Sequence, residues 1–487
     1  MWLVKHSVYK VFCGGESLEE VLGTMDKLES RGVKTVLDYA VEASSEDVTC
    51  ITDDVFDHNL HLTWKAVETV SKKRDGLVAV KVSALGPVST FERAGVVIAA
   101  VERLFAELCG MPVSPGHRRT LPDLLMLKEL TRQAFVKGMR KLATEATVPV
   151  AAEAELNRVF DTLLAQPGRG EDDFKVSFFQ WTHFLQPQKV GRDELAVFKE
   201  VIPPLSDYDA DHVVATQDRL FRLCKMTAQL ETKPSLLVDA EQSQVQGFIS
   251  TVTSNAQKRF NKNGQSLIYN TYQAYLKETK SQVRCDIEMA RRFGVSFALK
   301  LVRGAYMSFE RDIAEANGYP CPVHDCIEDT HDSFDSCVRL LLENRNRVAI
   351  FIGTHNAESI RKAGELLYGM RQNPDESLTK DERTSDVSVT NVSGVGDRTH
   401  LLAPTSLPVS FGQLLGMGDN LTFTLSDSGF RVYKYVPYGP VEVTIPYLLR
   451  RVQENCGVIG RAGWELQIIV QEIKRRAYSW LGCHKQQ

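Results

Sequence analysis

Ser296-Phe-Ala-Leu-Lys-Leu-Val-Arg303 is a short apolar run ending in a cation, and the chain on either side repeats that design. Apolar residues without an internal Gly or Pro read as a buried strand. Upstream, Leu236-Leu-Val-Asp-Ala-Glu241 and Ser266-Leu-Ile-Tyr-Asn-Thr-Tyr-Gln273 have the same form. A polar helix follows the first, and a helix to about Phe293 follows the second. Downstream, Val348-Ala-Ile-Phe-Ile-Gly353 precedes a helical pattern over 357–370, and Val409-Ser-Phe-Gly412 and Val432-Tyr-Lys-Tyr435 are weaker strands. Val33-Lys-Thr-Val-Leu-Asp38 and Leu77-Val-Ala-Val-Lys-Val-Ser83 come before the block. Strands alternating with helices imply an α/β chain with a parallel sheet, and eight such units close a (βα)8 TIM-like barrel. Chemistry in such barrels sits at the C-terminal strand ends. Those ends carry Asp38, Lys81, Asp239, Gln273, Arg303, His355 with Asn356, Gln413 and Tyr435.

Two segments interrupt the alternation. Residues 86–234 separate the second and third strands, too long for one connection. Helical spacing over Leu121 to Leu142, Glu153 to Leu164, Phe178 to Leu185 and Ala210 to Leu230 makes them a helical insertion. Within it, Leu156–Phe160, a polar loop and Val176–Trp181 resemble a decayed EF-hand. Its loop would start at Arg169, with Phe174 where a Gly belongs and Gln180 in place of the closing Glu, so calcium binding is rejected. Gln372 to Pro404, rich in Ser, Thr, Asp and Gly, reads as a mobile surface loop. The expected organisation is an N-terminal segment with the first strands (1–85), the insertion (86–234), the rest of the barrel (235–460, with the loop at 372–404) and a C-terminal amphipathic helix (461–487).

The net charge of -4, from Lys+Arg 58 against Asp+Glu 62, argues against a nucleic-acid partner. No run of 18 apolar residues is present to span a bilayer. The ten cysteines are scattered without a CxxC, as suits reduced thiols. Cys321, His324, Cys326 and His331 lack the paired knuckles of structural zinc and read as a loop before a helix, so no metal is expected. The opening Met1 to Lys10 is neither a secretory signal nor a convincing transit peptide, so either the targeting segment is absent from this chain or the protein is cytosolic.

After the Tyr438-Gly-Pro440 turn, a helix places Tyr447, Arg450, Arg451 and Glu454 on one face. Alone, this could be a solvated helix face or a planar donor array for a carboxylate. Its company decides. Lys81-Val-Ser, Asp239-Ala-Glu, Tyr272-Gln-Ala-Tyr275, Lys300-Leu-Val-Arg-Gly-Ala-Tyr306, Gly353-Thr-His-Asn356, Tyr435-Val-Pro-Tyr-Gly and Tyr447-Leu-Leu-Arg-Arg occur in that order. Together, from about Leu37 to at least Asn455, they resemble the proline dehydrogenase family in its eukaryotic form.

The resemblance implies a distorted barrel holding FAD noncovalently and oxidation of L-proline to Δ1-pyrroline-5-carboxylate, the first step of proline catabolism. Electrons would pass to a quinone. It implies that Arg450, Arg451 and Lys81 clamp the substrate carboxylate, with Glu454 and Asp239 balancing the positive charge. Tyr435, Tyr447, Ala305 and Tyr306 would wall the ring. Gln273, Val302, Arg303, Gly304, Thr354, His355 and Asn356 would hold the flavin and its phosphates, together with Asp239, Lys300 and Glu454. The catalytic set is then Lys81, Asp239, Lys300 and Tyr435. Lys300 stands where bacterial members often have Arg.

The substrate nitrogen must be neutral for hydride to leave C5, and the clamp acts by positioning. The nearest rival is hydroxyproline dehydrogenase, whose members resemble this family with a small Ser in place of Tyr435. A flavin-free, non-catalytic barrel stands as a rival of another class. A Schiff-base aldolase using Lys81 or Lys300 would leave the Arg-Arg helix unexplained. The resemblance places the protein in mitochondria, at the matrix side of the inner membrane. The C-terminal stretch, with Leu466, Ile469, Val470, Ile473, Ala477, Trp480 and Leu481 around Lys474, Arg475 and Arg476, is a basic amphipathic helix. Docking on the barrel is preferred over peripheral membrane contact.

Overall fold

The computed structural model describes residues 5–40, 53–112, 122–149, 151–372 and 408–456. The loop assigned to 372–404, all but its first residue, and the C-terminal helix of 461–487 lie outside the described residues. Eight strands close a barrel: β1 (Lys34–Tyr39), β2 (Leu77–Val80), β5 (Ser235–Val238), β6 (Ile268–Gln273), β7 (Phe297–Val302), β8 (Val348–Gly353), β9 (Val409–Leu414) and β10 (Arg431–Tyr438). All pair in parallel, and β1 closes the ring by pairing with both β2 and β10. They are the eight strands read from the sequence.

Period-two alternation sorts the strand residues between two cores. In β7, Phe297, Leu299 and Leu301 face outward and pack with Ile350, Ile352, Phe411 and Phe334. Ala298 faces the interior with Val36, Leu237, Tyr269, Phe351 and Tyr433. Two residues on, Lys300 takes the same inward side, and only 7% of it is exposed. Gly412 on β9 is required by this filling, since a Cβ there would lie 2.3 Å from the Phe351 ring.

The insertion contains helices Val88–Leu108, Arg132–Glu145, Glu153–Leu164, Phe178–Phe184 and Asp207–Ala228. The first and last pack on helix Ser243–Phe260, with Phe91 stacked on Phe248 at 4.6 Å. The middle three enclose Trp181, Phe135 and Phe160, and Trp181 Nε1 donates to Val101 O at 2.9 Å. One expectation needs correction: Leu121 to Leu142 is not one helix. It breaks after Leu125, and β3 (Glu129–Thr131) pairs antiparallel with β4 (Lys175–Ser177). Two adjacent helix–loop–helix hairpins leave loop backbone groups that need partners, and this small sheet supplies them. Gln180 completes a capping box with Ser177 and donates to Leu164 O at 2.9 Å.

Near the N-terminus, Tyr9 and Cys13 pack against Tyr447 and Leu448, and Tyr9 Oη donates to Gly439 O at 2.8 Å. That contact braces the helix Val441–Cys456 over the C-terminal mouth of the barrel. No helix among the described residues is long and apolar enough to cross a membrane.

Candidate active site

A cavity of about 830 Å³ opens at the C-terminal strand ends, within the range of small-molecule and cofactor sites. On its floor lies a chain of alternating charges. Asp38, at the end of β1, is 1% exposed and accepts from Lys81 Nζ at 2.6 Å. Lys81 Nζ also lies 3.7 Å from Asp239. Asp239 accepts from Lys300 Nζ and, at 2.7 Å, from the Tyr435 hydroxyl. Burial opposes ionisation of Asp239, but Lys300, Lys81 and the tyrosine hold its pKa below the ordinary carboxylate value. Burial first, and then Asp239 and Asp38, push the Tyr435 phenol well above its ordinary value. Lys300 also lies 5.5 Å from the Tyr435 ring centroid, a cation–π contact.

The Arg-Arg helix forms one wall. Gly439, with φ 135°, turns the chain from β10 into it, a conformation suited to glycine. Arg451 is 6% exposed and lies over the Tyr447 ring at 5.0 Å, while Arg450 lies over Tyr306 at 5.6 Å. Each guanidinium is thereby stacked on an aromatic face, which fixes a planar fork of donors.

The opposite wall comes from β6 to β9. Arg303 lies over Phe334 at 4.3 Å and donates to Thr354 Oγ1 at 2.8 Å, Ser359 Oγ at 2.9 Å and His331 Nδ1 at 3.1 Å. His331 is therefore held by Arg303, while Cys326 of the same cluster accepts from the Asp329 amide. Gly304 has φ 128°, and a Cβ there would overlap the Tyr275 ring. Gln273 donates to Glu241 O at 2.9 Å. Asn356 Oδ1 accepts from the Ser359 amide at 3.0 Å and so caps the helix Ala357–Gln372. His355 Nε2 accepts from the Leu414 amide at 3.0 Å. Burial, with Lys434, Arg451 and Arg303 nearby, lowers its pKa to about 4, so the imidazole is neutral with its proton on Nδ1.

The match to the family model described as proline dehydrogenase covers residues 21–462. The chain belongs to the proline dehydrogenase family. It is 28% identical to the mitochondrial proline dehydrogenase 1 of Caenorhabditis elegans, over 98% of this chain and 80% of the relative. Against the hydroxyproline dehydrogenase of Bos taurus it is 34% identical, over 54% of this chain and 52% of the relative. The fold is similar to that of proline utilization A (PutA) from Bdellovibrio bacteriovorus inactivated by N-propargylglycine. There the TM-score is 0.56 at 17% identity, covering 93% of this chain. The chain spans only 33% of that larger structure.

The proline dehydrogenase motifs meet in one place. Lys81, Asp239, Lys300, Tyr435, Ala305, Tyr306, Tyr447, Arg450 and Arg451 all line the cavity, as do Gln273, Val302, Arg303, Gly304, Thr354, His355 and Asn356. Ala305 and Gly304 are exposed at its rim. The side chain of Glu454 lies outside the described residues. Sequence reasoning gave no role to Asp38, which is the nearest partner of Lys81. Its position at a strand end was the available signal.

Proposed function

We propose that this chain oxidises L-proline to Δ1-pyrroline-5-carboxylate with FAD as cofactor and a quinone as electron acceptor, in mitochondria at the matrix side of the inner membrane. The observation that carries the reading is the floor of alternating charges beside two aromatic-stacked arginines inside one barrel mouth. The mitochondrial names of the relatives support the location. Residues 1–85 and 235–460 would form the cofactor-binding body, with 86–234 inserted.

The cavity residues fit a flavin dinucleotide. Arg303, Gln273, Thr354 and Asn356 present cationic, hydroxyl and amide donors suited to phosphates and a flavin ring edge. Gly353 and Gly412 keep the strand tops bare of side chains. FAD, when bound, supplies the hydride acceptor. Arg450, Arg451 and Lys81 bind the substrate carboxylate and so orient the ring. Tyr435, Tyr447, Tyr306 and Ala305 cover the ring and exclude water. Asp239, kept ionised by its two lysines, fixes Lys300 and Tyr435 in place.

The identity to bovine hydroxyproline dehydrogenase makes 4-hydroxyproline the second reading. Tyr435, tethered to Asp239, stands where the resemblance puts a small Ser in hydroxyproline dehydrogenases, which favours proline. The test is to purify the chain, titrate FAD, and assay proline and hydroxyproline with a soluble quinone. Flavin uptake with faster proline turnover is expected. A protein that takes up no FAD, or turns over neither substrate, refutes the reading.

A further inference from the structure

Arg303 reaches the cavity, but its orientation is set from behind. Three of its edge contacts go to Thr354, Ser359 and His331, and its face rests on the fully buried Phe334. Ser359, 3% exposed, is the informative one. A hydroxyl has one proton to give and lone pairs to accept with. The Ser359 proton goes to Asp335 Oδ1 at 2.5 Å, so its lone pairs are turned toward Arg303, 2.9 Å away. Asp335 is held in turn by Lys362 at 2.7 Å. The Ser359 amide is fixed by Asn356, and the Asn356 amide by Thr354 Oγ1, which accepts from Arg303 as well. The turn after β8, the first turn of the helix Ala357–Gln372 and the helix Ile327–Glu343 therefore close a ring around one guanidinium.

We propose that Asp335 and Ser359 are positioning residues for the cofactor: they lock the Arg303 guanidinium in the orientation that binds the anionic phosphates of FAD. The inference rests on the FAD reading above. A bidentate guanidinium–phosphate contact is directional, so a rotated fork loses it. Neither Asp335 nor Ser359 lines the cavity. Their effect must pass through Arg303.

The test is the Kd for FAD, by flavin fluorescence, of the full chain, Ser359→Ala, Asp335→Asn and the double variant. Melting of each apoprotein is measured alongside. Each single variant is expected to raise Kd about tenfold, equivalent to about 1.4 kcal/mol. The double variant should be no worse than either single, because both act as one unit. A purely electrostatic role predicts the reverse for Asp335→Asn, since removing a negative charge near Arg303 would tighten FAD. That tightening overturns the inference, as do Kd values within twofold of wild type or full additivity. Asp335 is 18% exposed in its side chain, so its Asn variant keeps the test alive should Ser359→Ala fail to fold. A wild-type chain that binds no FAD refutes the functional reading instead, which separates the two failures.

Discussion

Replacing Tyr435 by Phe and by Ser separates two jobs that the structure gives to one side chain. The hydroxyl donates to Asp239 at 2.7 Å, and the ring covers the cavity and lies 5.5 Å from Lys300. Tyr435→Phe deletes only a hydrogen bond to a charged group, worth about 1.5–3 kcal/mol. Asp239 keeps Lys300 and Lys81, so the low end applies, and kcat/KM for proline should fall about tenfold. Tyr435→Ser also removes the ring. A further ~1–3 kcal/mol of pocket contact is lost, which brings the fall in kcat/KM to roughly 10²–10³-fold. The Ser variant opens the space a C4 hydroxyl would occupy and offers an oxygen to bond it. The ratio of hydroxyproline to proline kcat/KM should therefore rise in Tyr435→Ser and stay flat in Tyr435→Phe. The assay is steady-state turnover of both substrates by flavin-loaded enzyme. A ratio that is unchanged in the Ser variant, or moves toward proline, shows that this residue does not set the choice.

Arg451→Met should raise the proline KM by about 30- to 1000-fold, the loss of a charge-assisted contact of ~2–4 kcal/mol, with flavin content unchanged. Loss of flavin with normal proline affinity would place the arginine elsewhere. His355 is neutral when folded because its pKa is lowered from 6.5 to about 4 by burial and nearby cations. Its share of stability is present above pH 6.5 and is lost as pH falls from there toward 4, because the unfolded chain takes up the proton first. Urea unfolding of the apoprotein should show this slope, and His355→Gln should flatten it.

The barrel was legible because its signal is local. Most of the eight strands are short runs dominated by apolar residues, and the polar strand ends stand out against them. The charge order on the floor was not legible. Asp38 and Lys81 are 43 residues apart, and only the β1–β2 pairing of the closed barrel brings their side chains together. The same limit hid the Asp335–Ser359 contact, which joins two barrel helices. The β3–β4 pair failed for another reason: three residues per strand are too few for period-two alternation to show. Helix Val88–Leu108 is different. Phe91, Ala94, Val97, Ile98, Val101, Leu104 and Phe105 keep helical spacing, so the signal for this helix is present in the sequence.

The opposite shifts of Asp239 and Tyr435 bear on what the floor can do. Two lysines and a phenol hold Asp239 as a carboxylate, and Asp239 in turn helps hold Tyr435 as a phenol. Each partner stabilises the protonation state that the other needs. A group poised to trade protons has a pKa near the working pH, and neither of these does. The pair is therefore a fixed electrostatic element, and its service is to hold Lys300 and the tyrosine ring still. The proton on the substrate amine must leave by another route, and proline that arrives already neutral needs none from the floor. It follows that the rise of kcat/KM with pH should track the titration of the substrate nitrogen and survive in Tyr435→Phe with its midpoint unmoved. A midpoint that shifts when the phenol is removed would show instead that the phenol takes part in the proton transfer.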